Sequence, residues 1–170
     1  MILKNNRGFS LIEMLIYLTV LTLFSVLVVG LIVAMMTSYR KLVLARTIAD
    51  SAIVSMERMS REIRTATDVD LSGSQFDVSP GYIRLNTTDD NGLLQTISFK
   101  LESGRINVYK NDVLVGPLTP YRATTTVLVF RRYVGSRSKA VGIEMAVEAE
   151  HGNDVRSELF QTTILLRNSL

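Results

Sequence analysis

The fold is decided by residues 4–39, KNNRGFSLIEMLIYLTVLTLFSVLVVGLIVAMMTSY, which join a short basic leader to a long apolar run. Between Met14 and Tyr39 no side chain is charged. A helix needs roughly 20 apolar residues to span a bilayer, so this stretch is long enough to cross one. A carboxylate, Glu13, stands at its start, where an ionised side chain is costly and is usually retained for a reason.

The order Gly8-Phe9-Ser10-Leu11-Ile12-Glu13 resembles the processing signal of type IV prepilins and of type II secretion pseudopilins. The resemblance implies that a prepilin peptidase cleaves after Gly8 on the cytoplasmic side and methylates the new N-terminal residue, Phe9. It also puts the family's glutamate on Glu13. Gly8 and Phe9 are then the processing residues, and Phe9 and Glu13 are the assembly residues.

Two other interpretations explain less of this N-terminus. An ordinary secretory signal has a shorter apolar core, of about 7–15 residues, followed by a small-residue cleavage site that is missing after Ala34. A plain signal anchor would explain the position of Glu13 but leaves the Gly-Phe-Ser-Leu-Ile-Glu order to chance. Basic residues flank the apolar run on both sides, so charge does not fix its orientation.

The helix is predicted to continue beyond the apolar run as an amphipathic extension over residues 37–66. Apolar positions recur there at spacings of three and four, which is typical of one face of a helix. We expect this face to pack on a β-sheet in preference to forming a coiled coil. The face consists of Leu42, Ala45, Ala49, Ala52, Met56, Met59 and Ile63, widened by Ile48 and Ile53.

The rest of the chain reads as short strands joined by turns. In residues 140–149 the apolar side chains alternate with small or charged ones, and Ser103-Gly104 and Asn111-Asp112 are typical turn pairs. The predicted strands lie within residues 82–85, 95–101, 106–109, 113–115, 126–133, 140–149 and 159–167.

These patterns predict an α+β, pilin-like fold, in which one long N-terminal helix packs on an antiparallel β-sheet. The expected organisation is a cleaved leader (1–8), a transmembrane and filament-core helix (9–36), its amphipathic extension (37–66) and a globular β-rich domain (67–170). Residues 56–64 and 160–168 resemble the J-type, PilW-like minor pseudopilins. Gly30 stands where many pilins have a helix-breaking proline.

Composition excludes several functional classes. The net charge is +3, and loss of Lys4 and Arg7 with the leader leaves +1, which is no footprint for nucleic acid. The chain has no cysteine, so disulfides and cysteine zinc sites are excluded. We therefore expect packing alone to hold the globular part together, and we predict no nucleic-acid site.

Candidate catalytic and metal-binding residues are few. The one histidine, His151, lies in a His-Gly-Asn-Asp stretch that is typical of a hairpin turn. The stretch from Asp68 to Gly73 opens like a calcium loop, but Ser79 stands where the bidentate glutamate is required, so a helix-ending turn is favoured. We expect no catalytic residue, no metal site and no cofactor, and the chain is predicted not to be an enzyme.

The function implied by the resemblance is that of a minor pilin or pseudopilin, a structural assembly or tip subunit. Its expected partners are homologous subunits, the prepilin peptidase, the inner-membrane assembly platform and the membrane. We expect it to cross the inner membrane once, with an extracytoplasmic C-terminal domain, and to enter a pilus or pseudopilus. The alternative is a signal-anchored extracytoplasmic binding or sensor domain that does not assemble.

Overall fold

The computed structural model describes residues 10–89, 91–135, 138–152 and 154–166. These residues form one helix followed by eight strands. The chain divides into two compact units, one ending at Lys41 and the other beginning at Leu42. The elements are α1 (Leu11–Thr65), β1 (Asp68–Val69), β2 (Tyr82–Thr88), β3 (Leu94–Glu102), β4 (Arg105–Lys110), β5 (Val113–Pro117), β6 (Thr124–Val134), β7 (Lys139–His151) and β8 (Asp154–Leu165).

The predicted α+β class and the antiparallel pairing are confirmed, and the strands form two sheets. One sheet has the order β1-β2-β3-β4-β5 and the other the order β6-β7-β8. The break falls between β5, an edge strand that ends at Pro117, and β6, with Pro120 in the connection between them. Proline has no N–H to donate, so it is found at strand ends and on edge strands. One edge of the second sheet bonds instead to loop backbone: Gly81 N–H donates to Leu128 O at 2.8 Å, and Thr125 N–H donates to Gly104 O.

The hairpin turns lie at residue types that are common in tight turns. Ser103 and Gly104, between β3 and β4, both have positive φ, at 50° and 75°. Two consecutive positive φ values are typical of the tight turns that match the twist of the strands. A side chain at Gly104 would also lie 2.6 Å from Thr124 Cγ2, so glycine is required here for space as well as for backbone conformation. The predicted turn at Asn111-Asp112 has the same positive-φ pattern.

The core of the second unit joins the helix to both sheets in one apolar cluster. Phe99 from β3, Phe130 from β6 and Met59 from α1 are fully buried in it. The five apolar positions predicted to share one face of β7 are buried: Val141, Ile143, Met145, Val147 and Ala149. Strict alternation holds from Ile143 to Ala149, whereas Ala140 and Gly142 at the start of the strand are buried as well.

The face of α1 that enters this core differs from the predicted one. Leu42 and Ile53 are 50% and 60% exposed, so their assignment to the buried face was wrong. Two small hydroxyl residues, Ser51 and Ser55, are buried on this face instead. The buried positions of α1 are Leu44, Ile48, Ser51, Ala52, Ser55, Met59 and Ile63.

Candidate membrane and assembly segment

The first unit turns its apolar side chains outward. Between Leu11 and Met36 the exposed large apolar residues range from 53% exposure at Met36 to 85% at Leu11. Soluble proteins rarely present so large a continuous apolar surface, and such surfaces mark contact with lipid or with other proteins. We call residues 11–39 the apolar segment.

The hydroxyl groups of the apolar segment bond within the helix. Thr19 Oγ1 donates to Leu15 O, Ser25 Oγ donates to Leu21 O, and Thr37 Oγ1 donates to Ala34 O, each at 2.8 Å. An unsatisfied polar group costs several kcal/mol in hydrocarbon, on the order of 4–8 by transfer from water to an alkane. These hydroxyls avoid that cost, so the segment is compatible with a lipid environment.

Glu13 lies in the first turn of α1 and is the acidic residue of the apolar segment. The hydroxyl of Tyr17 donates to Glu13 Oε1 at 3.5 Å, one helical turn away. Both side chains are exposed. The carboxylate therefore lies on the outer surface of the helix, where it can meet a group from another molecule.

The structure brings only part of the predicted site into view. Gly8 and Phe9, and the leader as a whole, lie outside the described residues. The processing role of Gly8 and Phe9 and the assembly role of Phe9 and Glu13 remain predictions. Sequence reasoning missed Tyr17, although residues four apart on a helix are neighbours and this spacing from Glu13 could have identified it.

Gly30 does not interrupt the helix. It lies within α1, and an added Cβ would meet nothing within 4 Å. Glycine keeps the backbone N–H that proline lacks, at a cost of about 1 kcal/mol relative to alanine. The backbone at Gly30 is thus helical.

The second unit carries a polar network on its larger sheet. Glu102 Oε2 accepts hydrogen bonds from Asn107 Nδ2 (3.0 Å) and from the Tyr109 hydroxyl (2.5 Å), while Lys100 Nζ lies 2.8 Å from Glu102 Oε1. The Lys100 ammonium, followed by the Tyr109 and Asn107 donors, lowers the pKa of Glu102 to about 2. Residues of β3 and β4 supply all of these partners, so the network forms in the observed register of the two strands and joins them.

The two weak site candidates of the sequence are structural turns. Asp70 Oδ1 accepts from Ser72 Oγ, Ser72 N–H and Gly73 N–H, and these bonds, led by the Ser72 hydroxyl, lower the pKa of the carboxyl. His151 pairs with Asp154 across the hairpin between β7 and β8. No group of three His, Asp or Glu side chains with metal-binding spacing occurs among the described residues.

Comparison with known proteins supports the N-terminal signal. A family model, the prokaryotic N-terminal methylation motif, matches residues 3–38. Neither a curated protein nor a solved structure gives a significant match. In the described part of the chain one helix, α1, is long and apolar enough to cross a membrane, by length and composition. The motif supports a pilin- or pseudopilin-type N-terminal signal, and together with this helix it suggests a membrane-anchored, pilus-type protein.

Proposed function

We propose that this chain is a minor pilin or pseudopilin, a structural subunit of a type II secretion pseudopilus or a type IV pilus. Prepilin peptidase cleaves it after Gly8 and methylates the amine of Phe9. The observation that carries the proposal is the exposed apolar segment with one carboxylate, Glu13, at its start. A membrane anchor alone needs no such carboxylate, whereas a charge at this position can select one register between neighbouring helices in lipid.

Assembly depends on pairing between Glu13 of one subunit and the Phe9 amine of the next. An unpaired charge is strongly penalised in a low-dielectric environment, so pairing selects one register between neighbouring helices. The uncleaved leader blocks this pairing, because the Phe9 nitrogen is then part of a peptide bond and Lys4 and Arg7 add charge nearby. Cleavage is thus the switch from stored precursor to assembly-competent subunit.

Residues 9–36 form the filament core with homologous subunits, and the globular domain (67–170) faces outward. The inner-membrane assembly platform is a partner during this assembly. The protein spans the inner membrane once before it enters the filament. Resemblance of residues 56–64 and 160–168 to J-type, PilW-like subunits favours a place at the tip. The role is structural, without catalysis or a cofactor.

The substitution Glu13→Val tests the proposal in cells that carry the assembly machinery. We expect the variant to enter the membrane normally, because valine is as apolar as its neighbours. Its incorporation into sheared filaments should fall roughly tenfold or more, since close charge pairs at interfaces couple by about 1.5–7 kcal/mol. Membrane and filament fractions are quantified by immunoblotting.

The matched control is Glu57→Val, which removes an exposed carboxylate of α1 in the second unit, 67% exposed and paired with Arg61. We expect it to assemble like the wild type. Normal assembly of Glu13→Val would contradict the pairing mechanism. Complete absence of the wild-type chain from filaments would favour a signal-anchored extracytoplasmic binding or sensor domain.

A further inference from the structure

Tyr17 stands out within the apolar segment because of what its hydroxyl contacts. The hydroxyl lies 3.5 Å from Glu13 Oε1, and the side chain is 57% exposed. The hydroxyls of Thr19 and Thr22 nearby donate to backbone carbonyls of the preceding turn. Tyr17 is therefore the neighbour whose polar group is directed at a side chain.

The spacing of the two residues determines what this bond can do. Residues four apart on a helix lie on the same face, and the long tyrosine side chain reaches back toward the preceding turn. A hydrogen bond to a charged group is stronger than one between neutral groups, and more so at low dielectric. The phenol can thus stabilise the Glu13 carboxylate in lipid before a partner is present.

The bond also leaves room for that partner. A carboxylate has two oxygens with about four acceptor positions, and the Tyr17 hydroxyl uses one position on Oε1. Oε2 remains available for an amine that approaches along the exposed side of the helix. The phenol also limits the rotamers of Glu13, which reduces the entropy lost when the pair forms.

We propose that Tyr17 is a positioning residue for Glu13: its hydroxyl holds one carboxylate oxygen while the other binds the N-terminal amine of the neighbouring subunit. This inference rests on the proposed function and deepens it. It assigns to Tyr17 a part in subunit registration that neither the methylation motif nor the sequence pattern assigns. The contact with Glu13 is made by the hydroxyl group of Tyr17 and not by its ring.

Competition between chains in one cell measures this contribution. Wild type and Tyr17→Phe are expressed together, and their ratio in sheared filaments is compared with their ratio in the membrane by intact mass. Phenylalanine keeps the ring and removes the hydroxyl. We expect a relative loss of about three- to tenfold from the filament, as for one hydrogen bond.

The matched control is Tyr39→Phe, since Tyr39 is the other tyrosine of the segment and is 66% exposed at its far end. We expect its ratio to be the same in filament and membrane. If Tyr17→Phe behaves like Tyr39→Phe while Glu13→Val is excluded from filaments, the inference on Tyr17 is overturned and the proposed function stands. If Glu13→Val assembles normally, the proposed function itself fails.

A spectroscopic measurement reads the contact without assembly. The tyrosine Raman doublet reports whether a phenol hydroxyl donates a hydrogen bond, and the spectrum of the full-length chain minus that of Tyr17→Phe isolates Tyr17. We expect a donor signature in lipid nanodiscs that is lost in the Glu13→Val background. A donor signature unchanged by Glu13→Val would overturn the inference, because the hydroxyl would then serve another acceptor.

Discussion

The two units of this chain use the same kinds of side chain in opposite ways. Phe24 in the apolar segment is 63% exposed, whereas Phe99 in the second unit is fully buried. Between residues 42 and 65, α1 is apolar on one side, and between 14 and 39 it carries no charged residue on any side. The second unit supplies its own apolar surroundings, while the first requires lipid or other subunits to provide them.

The difference implies that substitutions in the two units are detected by different measurements. A change in the second unit acts on the free energy of unfolding, because its core is closed. A change in the apolar segment acts on insertion or on association, because its contacts lie outside the chain.

Truncation of a core aromatic should have the largest effect on stability. Phe99→Ala leaves a cavity between α1 and the sheets, and we expect it to lower the free energy of unfolding by about 3–5 kcal/mol. The measurement is urea unfolding of the full chain in detergent micelles, followed by near-ultraviolet circular dichroism. Phe24→Ala is the matched control and should leave this transition unchanged. An equal loss in both variants would contradict the independence of the two units.

Two buried serines on α1 give a smaller and opposed pair of effects. Ser51 Oγ donates to Thr47 O at 2.7 Å, whereas Ser55 Oγ has no hydrogen-bond partner among the described residues. We expect Ser51→Ala to destabilise by about 1 kcal/mol and Ser55→Ala to be neutral or stabilising by a similar amount. The same urea measurement compares them. Equal losses for both would mean that the Ser55 hydroxyl is bonded in solution.

The Glu102 network should give the smallest effect, because exposed charges are screened by solvent. The pKa of Glu102 is lowered to about 2 from an ordinary value of 4.5, chiefly by Lys100, so its stabilisation is present above pH 4.5 and is lost as the pH falls toward 2. We expect the melting temperature of the wild type to fall over that window more than that of Glu102→Gln. If the melting temperatures of the two proteins fell by the same amount between roughly pH 5 and pH 2, the stabilising role of the network would be contradicted.

The strands and the long helix could be predicted from sequence because the spacing of apolar residues differs between the two kinds of element. The alternation of β7 from Ile143 to Ala149 and the turn at Ser103-Gly104 are local signals, and the structure confirms both. The division into two sheets could not be predicted, because it depends on which loop backbone meets Leu128 and Thr125 in three dimensions. The burial of Ser51 also escaped prediction, since a serine on a helix reads as a solvent-facing residue until the opposing surface is known.

Some side-chain contacts of the candidate site and of the second unit could be predicted from sequence spacing, and others could not. The position of Glu13 follows from the order of residues around it, and the contact with Tyr17 follows from helical spacing once the helix is established. The cluster of Lys100, Asn107 and Tyr109 on Glu102 depends on the register of β3 against β4, which sequence spacing alone does not fix. Residues that are close in sequence therefore predict the contacts of the apolar segment better than they predict the side-chain contacts on the surface of the second unit.

The most direct test of the account is the intact mass and N-terminal peptide of the membrane-extracted protein, with and without its prepilin peptidase. We expect a peptidase-dependent chain that begins at N-methylated Phe9, and we expect a Gly8 variant with a bulky side chain to stay uncut. A chain that begins at Met1 in both samples would contradict it. The apolar segment would then be a simple membrane anchor.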